Sequence, residues 1–431
     1  MIIEGNKASM IGEIELPGDK SISHRAIMIG SISNGETTIE NCLLSEDTIS
    51  TIECFRNMGV NIHQHENKVI VHGVGLRGLR KPKHILYCGN SGTTMRLISG
   101  ILVGQNFSSV LQGDSSLNRR PMRRIISPLR EMGANIKGKE DEYPPLNIEP
   151  TKSLKNITYE LPIPSAQVKS AILLASLYCH GETIIKESGI LRDHTERMIS
   201  YFGGVIKKEK NVIVINSSSN TEFSGKKIYV PGDISSASFF IVGALTMKGS
   251  KVLIKDVGIN ETRMGIVEIL KKMGGNIRIL NERFLNNEPI GDILVEYSNL
   301  KGIEIKGDII GSLIDEIPIL TVAASLAEGK TIIRNAEELK FKESNRIKAM
   351  VSELKKMGVN VEELDDGMII EGSSILKPAV LNTYGDHRVA MALYIAALNA
   401  KGESSIEGFN CIKISFPGFF DMMNKIIAVE I

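Results

Sequence analysis

The sequence has 431 residues, of which 42% are hydrophobic, and a formal net charge of +1 at pH 7. This length predicts two or three domains with large buried cores, since a domain usually holds about 100 to 200 residues. The balance of 51 Lys and Arg against 50 Asp and Glu argues against a nucleic-acid-binding or acidic-partner surface, so any basic patch must be local.

Composition also predicts the compartment. Five scattered cysteines without CxxC spacing indicate reduced thiols in a cytoplasmic protein. The first ten residues lack the continuous apolar segment of a signal peptide. The most apolar run, Phe239–Met247, is far shorter than the roughly 20 residues that span a bilayer, so we expect no membrane segment.

The first candidate element is a helix that starts within PGDKSISHR (Pro17–Arg25). Asp19 or Ser21 could cap this helix, and Ser21 and Arg25 would share one of its faces. The unpaired N–H groups of a helix start, together with Lys20, Arg25 and the hydroxyls, would form an anion pocket. The alternative is a solvated, capped helix start.

A repeated phrase then divides the chain. Phrases such as NMGVNI and EMGANI each close an amphipathic helix and precede a β-type run, and their glycine fits the left-handed position after a helix. The glycines are Gly59, Gly133, Gly203, Gly274 and Gly358. A small-residue helix and a β-branched strand precede each phrase. The repeating unit is therefore predicted as strand–helix–strand–helix–strand–strand, present about six times.

The two halves of the chain also resemble each other. LPGDKSISHRAIMIG begins at Leu16, and VPGDISSASFFIVG begins at Val230. This match predicts two similar domains of three repeats with a polar groove between them. The Pro-Gly-Asp at both junctions predicts the crossover points.

Further along the chain, polar phrases recur at the starts of predicted helices. CGNSGTTMRL (Cys88–Leu97) places small residues where backbone N–H groups could approach an anion. SLNRRPMRR (Ser116–Arg124) concentrates four arginines, for which a solvated basic face is the alternative. The remaining phrases are PSAQVKSA with Ser165, Gln167 and Lys169, GILRDHTER with Arg192, LIDEIPIL with Asp315 and Glu316, KFKESNR with Lys342, Glu343 and Arg346, and YGDHRVAMA with Asp386, His387 and Arg388.

Together these phrases place at least six cations and two or three carboxylates at equivalent ends of repeated helices, where they would converge on one groove. Such a site suits small polyanionic substrates and leaves carboxylates for proton transfer. Lys342 and Arg346 are expected one helical turn apart. Neither GVGLRG nor GANIKGKE has the context of a nucleotide-binding loop, and no HExxH or GxSxG motif supports metal or serine-nucleophile chemistry.

The phrases resemble the 5-enolpyruvylshikimate-3-phosphate synthase family from PGDKSISHR to SFPGFF, and GNSGTTMR and KESNR are the most specific signatures. The resemblance implies an α/β (α+β) fold, the inside-out α/β barrel of enolpyruvyl transferases, with two domains of three βαβαββ repeats joined by two crossovers. It places the domains at residues 19–228 and at residues 1–18 plus 229–431.

The resemblance also implies a reaction of the shikimate pathway. The enolpyruvyl group of phosphoenolpyruvate would pass to the 5-hydroxyl of shikimate 3-phosphate, with release of phosphate. The reaction would proceed by addition and elimination through a tetrahedral intermediate, without a cofactor or a metal.

Roles for individual residues follow from the same resemblance. Asp315 would take the 5-hydroxyl proton, and Glu343 or Lys20 would protonate the methylene carbon. The residues that would bind phosphoenolpyruvate are Lys20, Gly92, Arg120, Gln167, Arg346 and Arg388. The residues that would bind shikimate 3-phosphate are Lys20, Ser21, Arg25, Ser165, Ala166, Gln167, Arg192, Asp315 and Lys342.

Some positions depart from the best-known members of the family. Ala166 replaces a serine, and Arg192 is the candidate to compensate for the lost phosphate contact. Glu338 stands where many members have asparagine. A phosphate-binding lysine near the carboxyl end is shifted or absent, with Lys413 as the candidate. GDKS, SAQVK, RDHTE and NETR resemble the glyphosate-tolerant subgroup, so glyphosate tolerance is a hypothesis.

Two other functions stay open. UDP-N-acetylglucosamine enolpyruvyl transferases share the fold and the phosphoenolpyruvate chemistry, but they usually carry a reactive cysteine on the loop that here reads GDSSLNRRP. A non-catalytic anion-binding protein would gain nothing from Asp315, Glu343 and Lys342 beside a polyanion. We expect a monomer that binds small-molecule substrates and neither nucleic acid nor membrane.

Overall fold

In the computed structural model, which describes residues 1–5, 8–218, 222–373 and 375–429, the chain divides into two compact units. The first unit comprises Gly18–Val230 and Phe284–Glu288. The second unit comprises Met1–Pro17, Pro231–Arg283 and Pro289–Ile431. Each unit has its own hydrophobic core.

The secondary structure alternates between helices and strands along both units. The α-helices are α1 (Lys20–Ser31), α2 (Glu46–Asn57), α3 (Gly92–Leu102), α4 (Arg123–Glu131), α5 (Ala166–Ser176), α6 (His194–Tyr201), α7 (Ile234–Thr246), α8 (Gly265–Lys272), α9 (Ile309–Leu313), α10 (Ile317–Ser325), α11 (Arg346–Lys356), α12 (His387–Leu398) and α13 (Phe419–Ile426). Short 3₁₀ turns cover Leu117–Arg119, Glu261–Arg263, Glu337–Phe341 and Phe409–Ile414.

The strands are β1 (Ile2–Glu4), β2 (Ala8–Glu15), β3 (Asn34–Glu40), β4 (Asn61–His65), β5 (Lys68–Val74), β6 (Leu86–Tyr87), β7 (Ser109–Gln112), β8 (Asn135–Lys139), β9 (Tyr143–Glu149), β10 (Thr158–Glu160), β11 (Gly181–Lys186), β12 (Val205–Glu209), β13 (Val212–Ser217), β14 (Lys227–Tyr229), β15 (Lys251–Gly258), β16 (Asn276–Leu285), β17 (Glu288–Glu296), β18 (Glu304–Ile305), β19 (Lys330–Ile333), β20 (Asn360–Leu364), β21 (Gly367–Glu371), β22 (Val380–Asn382), β23 (Glu403–Glu407) and β24 (Ile427–Val429).

The first unit holds three four-stranded sheets of the same topology, with strand orders β14-β3-β5-β4, β6-β7-β9-β8 and β10-β11-β13-β12. In each sheet the first pair of strands is parallel and the other two pairs are antiparallel. Two helices accompany each sheet. The predicted βαβαββ repeat is therefore confirmed in this unit, and the first repeat takes its parallel strand, β14, from the end of the unit.

The second unit repeats this pattern in one sheet, adds a strand to a second sheet and, among the described residues, has only three strands in the third. The sheet β18-β19-β21-β20 matches the sheets above. In the sheet β16-β17-β15-β2-β24, strand β2 is parallel to β15 and β24 is added along its other edge. In the sheet β1-β23-β22, strand β1 pairs antiparallel with β23.

The repeated glycines end the second helix of a repeat, as predicted. Gly59, Gly133, Gly203, Gly274 and Gly358 follow α2, α4, α6, α8 and α11, with φ angles of 89°, 90°, 103°, 98° and 81°. This left-handed conformation favours glycine, which explains why the phrase recurs with that residue fixed.

The first helices of the repeats lie inside the units. Nearly every residue of α1, α5, α7 and α12 is buried, so these helices can present polar groups mainly at their ends. Their starts are capped by Asp19, Ser165, Asp233 and Asp386. Across the described ranges, no helix is both long enough and apolar enough to cross a membrane.

Candidate active site

The first candidate residues lie at the start of α1. Asp19 caps this helix by accepting a hydrogen bond from the Ile22 N–H at 2.9 Å, so Asp19, not Ser21, is the cap. Lys20 Nζ lies 3.0 Å from Oδ2 of Asp47, a mostly buried residue of α2. Ser21 is half-buried on the first turn. This pairing fixes the Lys20 ammonium beside the helix start.

Arg25 is buried within the first unit and is bound by oxygens of neutral groups. Its Nε donates to Thr195 Oγ1 at 2.6 Å, Nη2 donates to Ser170 Oγ at 2.9 Å, and Nη1 donates to the Ser21 carbonyl at 2.9 Å. Burial lowers the pKa of Arg25 to about 10, while the charges of Glu196 and Asp19 act in the opposite direction. Arg192, half-buried ahead of α6, is close enough for its charge to lower this pKa further.

The start of α3 forms a second basic cluster. Ser91 caps the helix, and a Cβ placed on Gly92 would lie 2.7 Å from Arg96 Nη1 and 3.6 Å from Arg120 Nη1. Arg120 Nη2 donates to Asn90 Oδ1 at 2.6 Å. Of the four arginines in the 116–124 phrase, Arg120 is the one that is buried. Gly92 therefore lets the backbone of a helix start approach two guanidinium groups.

Arg96 was not among the residues predicted for the site, although it lies in the phrase CGNSGTTMRL. Arg96 Nη1 donates to Gln167 Oε1 at 2.6 Å, and Gln167 Nε2 donates to Thr93 Oγ1 at 3.1 Å. These bonds tie the start of α3 to the start of α5. The arginine in GNSGTTMR, four residues after the glycine, was the available signal.

The start of α5 brings together a cap and two candidate residues. Ser165 accepts a hydrogen bond from the Val168 N–H at 3.5 Å, and Ala166 is the first residue of the helix. Lys169, which the sequence analysis noted beside them, instead pairs internally with Glu187 Oε1 at 2.6 Å and Glu196 Oε1 at 2.5 Å. Burial alone would lower the pKa of Lys169, but the two carboxylates raise it.

In the second unit, one carboxylate is surrounded by three cations. Oδ1 of Asp315 lies 3.6 Å from Lys342 Nζ and 3.3 Å from Arg346 Nη1, and Oδ2 lies 3.9 Å from Arg388 Nη2. The Asp315 side chain is 16% exposed, so it is accessible from one side. The structure thus brings together four residues that the sequence analysis selected from three separate phrases.

Arg346 is almost wholly buried and is bound by carboxylates. Its Nε and Nη2 contact the two oxygens of Asp386 at 2.8 and 3.3 Å, and Nη2 also donates to Glu343 Oε2 at 2.6 Å. Burial alone would lower the pKa of Arg346, but Asp386, Glu343 and Asp315 raise it. Burial would also raise the pKa of Asp386, yet the Arg346 guanidinium holds it below its usual value.

Lys342 is not one helical turn before Arg346, and this prediction is wrong. Asn345 caps α11 by accepting from the Lys348 N–H, so the helix begins at Arg346 and Lys342 has an extended backbone. Lys342 Nζ reaches Glu338 Oε1 at 3.4 Å as well as Asp315. Lys413 is exposed in the 3₁₀ turn Phe409–Ile414.

Behind Arg388 lies a buried network that the sequence analysis missed in part. Glu316 Oε1 accepts a short hydrogen bond from the Ser235 hydroxyl and lies 3.6 Å from Arg388 Nη1. Arg263 Nη2 donates to Ser235 Oγ at 2.6 Å. The signal for Ser235 was the match between the two halves, since PGDIS (Pro231–Ser235) occupies the place of PGDKS (Pro17–Ser21).

The two clusters suit different tasks. The first unit presents Lys20, Arg25, Arg96 and Arg120 within the first two turns of helices or just before them, an arrangement that suits oxyanions. The second unit combines guanidinium groups with a partly exposed carboxylate, which can both bind an anion and exchange a proton. Among the described residues, no three His, Cys, Asp or Glu side chains form a group that could hold a metal ion.

Residues 5–423 match the model of the family EPSP synthase (3-phosphoshikimate 1-carboxyvinyltransferase). The chain belongs to this family. A 3-phosphoshikimate 1-carboxyvinyltransferase of Thermoanaerobacter sp. (strain X514) is 53% identical over 427 residues, covering 98% of this chain and 100% of the relative. The protein of the same name from Brevibacillus brevis is 50% identical over 416 residues, covering 96% and 97%.

Solved structures agree with EPSP synthase family membership. The EPSP synthase of Acinetobacter baumannii superposes with a TM-score of 0.88 at 44% identity, covering 100% of this chain and 99% of that one. The enolpyruvyl transferase NikO of Streptomyces tendae gives a TM-score of 0.81 at 17% identity, covering 99% and 98%, and shows the fold alone. The predicted family and the predicted enolpyruvyl transferase fold are both confirmed.

Proposed function

We propose that this protein transfers the enolpyruvyl group of phosphoenolpyruvate to the 5-hydroxyl of shikimate 3-phosphate and releases phosphate. The observation that carries the proposal is the arginine arrangement of the first unit. Arg25 and Arg96 lie in the second turns of α1 and α3, Arg120 precedes α4, and the three are tied together through Ser170 and Gln167 of α5 and Asn90 before α3. Guanidinium groups held in this way suit carboxylate and phosphate oxygens.

Shikimate 3-phosphate is proposed to bind mainly to the first unit. Lys20, Ser21 and Arg25 supply donors from α1, and Ser165, Ala166 and Gln167 supply the start of α5. Two hydrogens of Arg25, one on each terminal nitrogen, are left after its three internal bonds, and such a pair can bind an oxyanion in bidentate fashion. Arg192, whose charge acts on Arg25, is proposed to compensate for the hydroxyl that Ala166 lacks.

Phosphoenolpyruvate is proposed to bind at Lys20, Gly92, Arg120, Gln167, Arg346 and Arg388. Gly92 permits close approach of its oxygens to the α3 backbone, because a side chain there would fill the space before Arg96 and Arg120. Arg346 is oriented by Asp386 and Glu343, so its direction is fixed before a substrate arrives.

The proton transfers are assigned to three residues. Asp315, with Lys342 beside it to orient the ring, is proposed to take the 5-hydroxyl proton as C2 of phosphoenolpyruvate is attacked. Glu343 or Lys20 is proposed to deliver a proton to the methylene carbon. The tetrahedral intermediate then loses phosphate and a methyl proton, which restores the enol ether.

Further proposals concern the assembly. We infer that residues 19–228 and residues 1–18 with 229–431 act as the two domains of a monomer, as the family resemblance implies. Sedimentation equilibrium of the active protein is expected to give the mass of one 47.2 kDa chain. A stable dimer with higher activity than the monomer would overturn this.

Phosphate release from phosphoenolpyruvate tests the proposed function. Turnover is expected with shikimate 3-phosphate and not with UDP-N-acetylglucosamine as the acceptor. Turnover with the sugar nucleotide alone would assign the protein to the other enolpyruvyl transfer. Binding of both anions without any turnover would favour the non-catalytic alternative.

The motifs of the tolerant subgroup lead us to propose that glyphosate inhibits this enzyme weakly. The relevant assay titrates glyphosate at saturating shikimate 3-phosphate, since competition with phosphoenolpyruvate is then measured directly. Inhibition by micromolar glyphosate under these conditions would contradict the proposed tolerance.

A further inference from the structure

Two hydroxyl groups from neighbouring helices hold the buried guanidinium of Arg25. Ser170 lies on α5 and Thr195 on α6, and both side chains are buried. Their oxygens are 2.7 Å apart, and each accepts one hydrogen bond from Arg25. The guanidinium therefore rests along a hydroxyl pair, much as it would rest along the two oxygens of a carboxylate, but without the negative charge.

The directions of these hydrogen bonds are fixed by counting hydrogens. The single hydroxyl hydrogen of Ser170 goes to the Ala166 carbonyl at 2.7 Å. The hydrogen between the two hydroxyls must therefore come from Thr195, whose oxygen remains to accept from Arg25 Nε. This series of hydrogen bonds runs from Arg25 through Thr195 and Ser170 to the first residue of α5, where the candidate substrate contacts begin.

Neutral partners have an electrostatic consequence. A carboxylate bound to Arg25 would offset part of the charge that a substrate anion meets, whereas hydroxyl oxygens add no negative charge. The hydroxyl pair orients the guanidinium without adding a negative charge at its hydrogen bonds, and the lowered pKa of Arg25 is caused mainly by burial. Burial strengthens the attraction that such a charge exerts on an oxyanion.

A buried ion pair next to the two hydroxyl groups holds their helices together. Lys169 precedes Ser170 on α5, Glu196 follows Thr195 on α6, and their side chains form a buried ion pair at 2.5 Å. This pair fixes the spacing of the two helices next to the residues that contact Arg25. A small shift of Thr195 would misalign the guanidinium, and misplacement of a positioning group is costly for binding.

We propose that Thr195, with Ser170, is a positioning residue for the substrate acceptor: it aims the charge of Arg25 at an oxyanion of shikimate 3-phosphate while adding no negative charge of its own. The inference rests on the proposed function, because it deepens the role of Arg25 in the same site. It assigns a task to the threonine of RDHTE, to which the sequence analysis gave no chemical role.

The test replaces the hydroxyl while keeping the shape of the side chain. Thr195→Val is expected to weaken direct binding of shikimate 3-phosphate, measured by titration calorimetry without phosphoenolpyruvate, by about 10- to 100-fold, the usual effect of losing a hydrogen bond to a charged group. The KM for shikimate 3-phosphate should rise in parallel, and the KM for phosphoenolpyruvate should change much less. Thr195→Ser, which restores the hydroxyl, should recover wild-type binding.

Two controls separate positioning from general damage. Thr183→Val removes a buried hydroxyl from β11 that bonds to Asn156, and it should leave binding unchanged. If Thr195→Val does not fold, Ser170→Ala tests the same pair. Wild-type affinity in Thr195→Val or Ser170→Ala, or equal losses in Thr195→Ser and Thr195→Val, would overturn the inference. Absence of wild-type turnover would instead overturn the proposed function.

Discussion

Two buried arginines of the candidate site differ in what surrounds them. Arg25 contacts hydroxyl and carbonyl oxygens, whereas Arg346 contacts the carboxylates of Asp386, Glu343 and Asp315. The first arrangement keeps a positive charge available for a substrate. The second holds the guanidinium rigidly among three carboxylates, of which Asp315 and Glu343 are proposed to take part in proton transfer.

The proposed role of Asp315 as the base can be tested by substitution. Replacing it by asparagine keeps the shape of the side chain but removes the proposed base. We expect kcat to fall about 10²- to 10⁴-fold, the usual contribution of general acid–base catalysis, with little change in the affinity for shikimate 3-phosphate. Steady-state phosphate release and a thermal melt are sufficient to measure this. A kcat near wild type, in a variant with an unchanged melting temperature, would take the base role away from Asp315.

His24 leads to a prediction about pH and stability. Burial, followed by the charges of Lys20 and Arg25, lowers the pKa of this histidine well below 6.5. Below pH 6.5 the unfolded chain binds a proton at His24 and the folded chain does not. The contribution of His24 to the free energy of unfolding should therefore be greatest above that pH. It should decline on acidification, by up to about 1.4 kcal/mol per pH unit.

Urea denaturation at several pH values between 7.5 and 5 measures this slope. His24→Asn should flatten it, because the asparagine does not titrate. His63→Asn, at an exposed position on β4, is the matched control and should keep the wild-type slope. Identical slopes in wild type and His24→Asn would contradict the prediction.

At the scale of the element, the glycine that ends a helix lends itself to measurement. Gly203 follows α6 with φ of 103°, and a Cβ at this position would meet no atom within 4 Å. A substitution there therefore measures backbone conformation without a steric clash. Gly203→Ala should lower the free energy of unfolding by about 1 kcal/mol and leave activity unchanged.

Asparagine supplies the comparison for this position, since it tolerates the left-handed region better than alanine. Gly203→Asn should therefore lose less stability than Gly203→Ala in the same urea titration. Equal losses of stability would mean that the left-handed backbone conformation is not the reason for a glycine at residue 203.

The repeat could be predicted from the sequence because it depends on local rules. Helix caps, left-handed glycines and alternating strands each leave a pattern within about ten residues. The contacts of the site leave no such local pattern in the sequence. Arg96 with Gln167, and Arg25 with Thr195, join residues that are 71 and 170 positions apart. Lys342 was misplaced because Asn345 competes as a helix cap within the same phrase.

At the scale of the whole molecule, the two units show how similar halves can diverge. Asp19 and Asp233 cap α1 and α7 at corresponding positions after Pro-Gly. Lys20 follows the first cap and Ile234 follows the second, so the first residue of the helix is basic in one unit and apolar in the other. The two halves have thus kept a similar fold, while the residues at corresponding helix starts differ in charge.

The separate cores of the units yield a prediction about stability. Phe55 belongs to the core of the first unit and Phe240 to that of the second, and both side chains are completely buried. Truncation of either to alanine should cost about 3 to 5 kcal/mol of local stability. Because the two sets of core side chains are distinct, the loss should be confined to the unit that carries the substitution.

Hydrogen exchange measured peptide by peptide can locate that loss. Phe55→Ala should speed exchange in peptides from α1 to β13 and spare those of α10 to α12, and Phe240→Ala should do the reverse. Each variant is the control for the other, since both remove the same side chain. Uniform acceleration across the chain in both variants would mean that the units unfold as one cooperative structure, in spite of their separate cores.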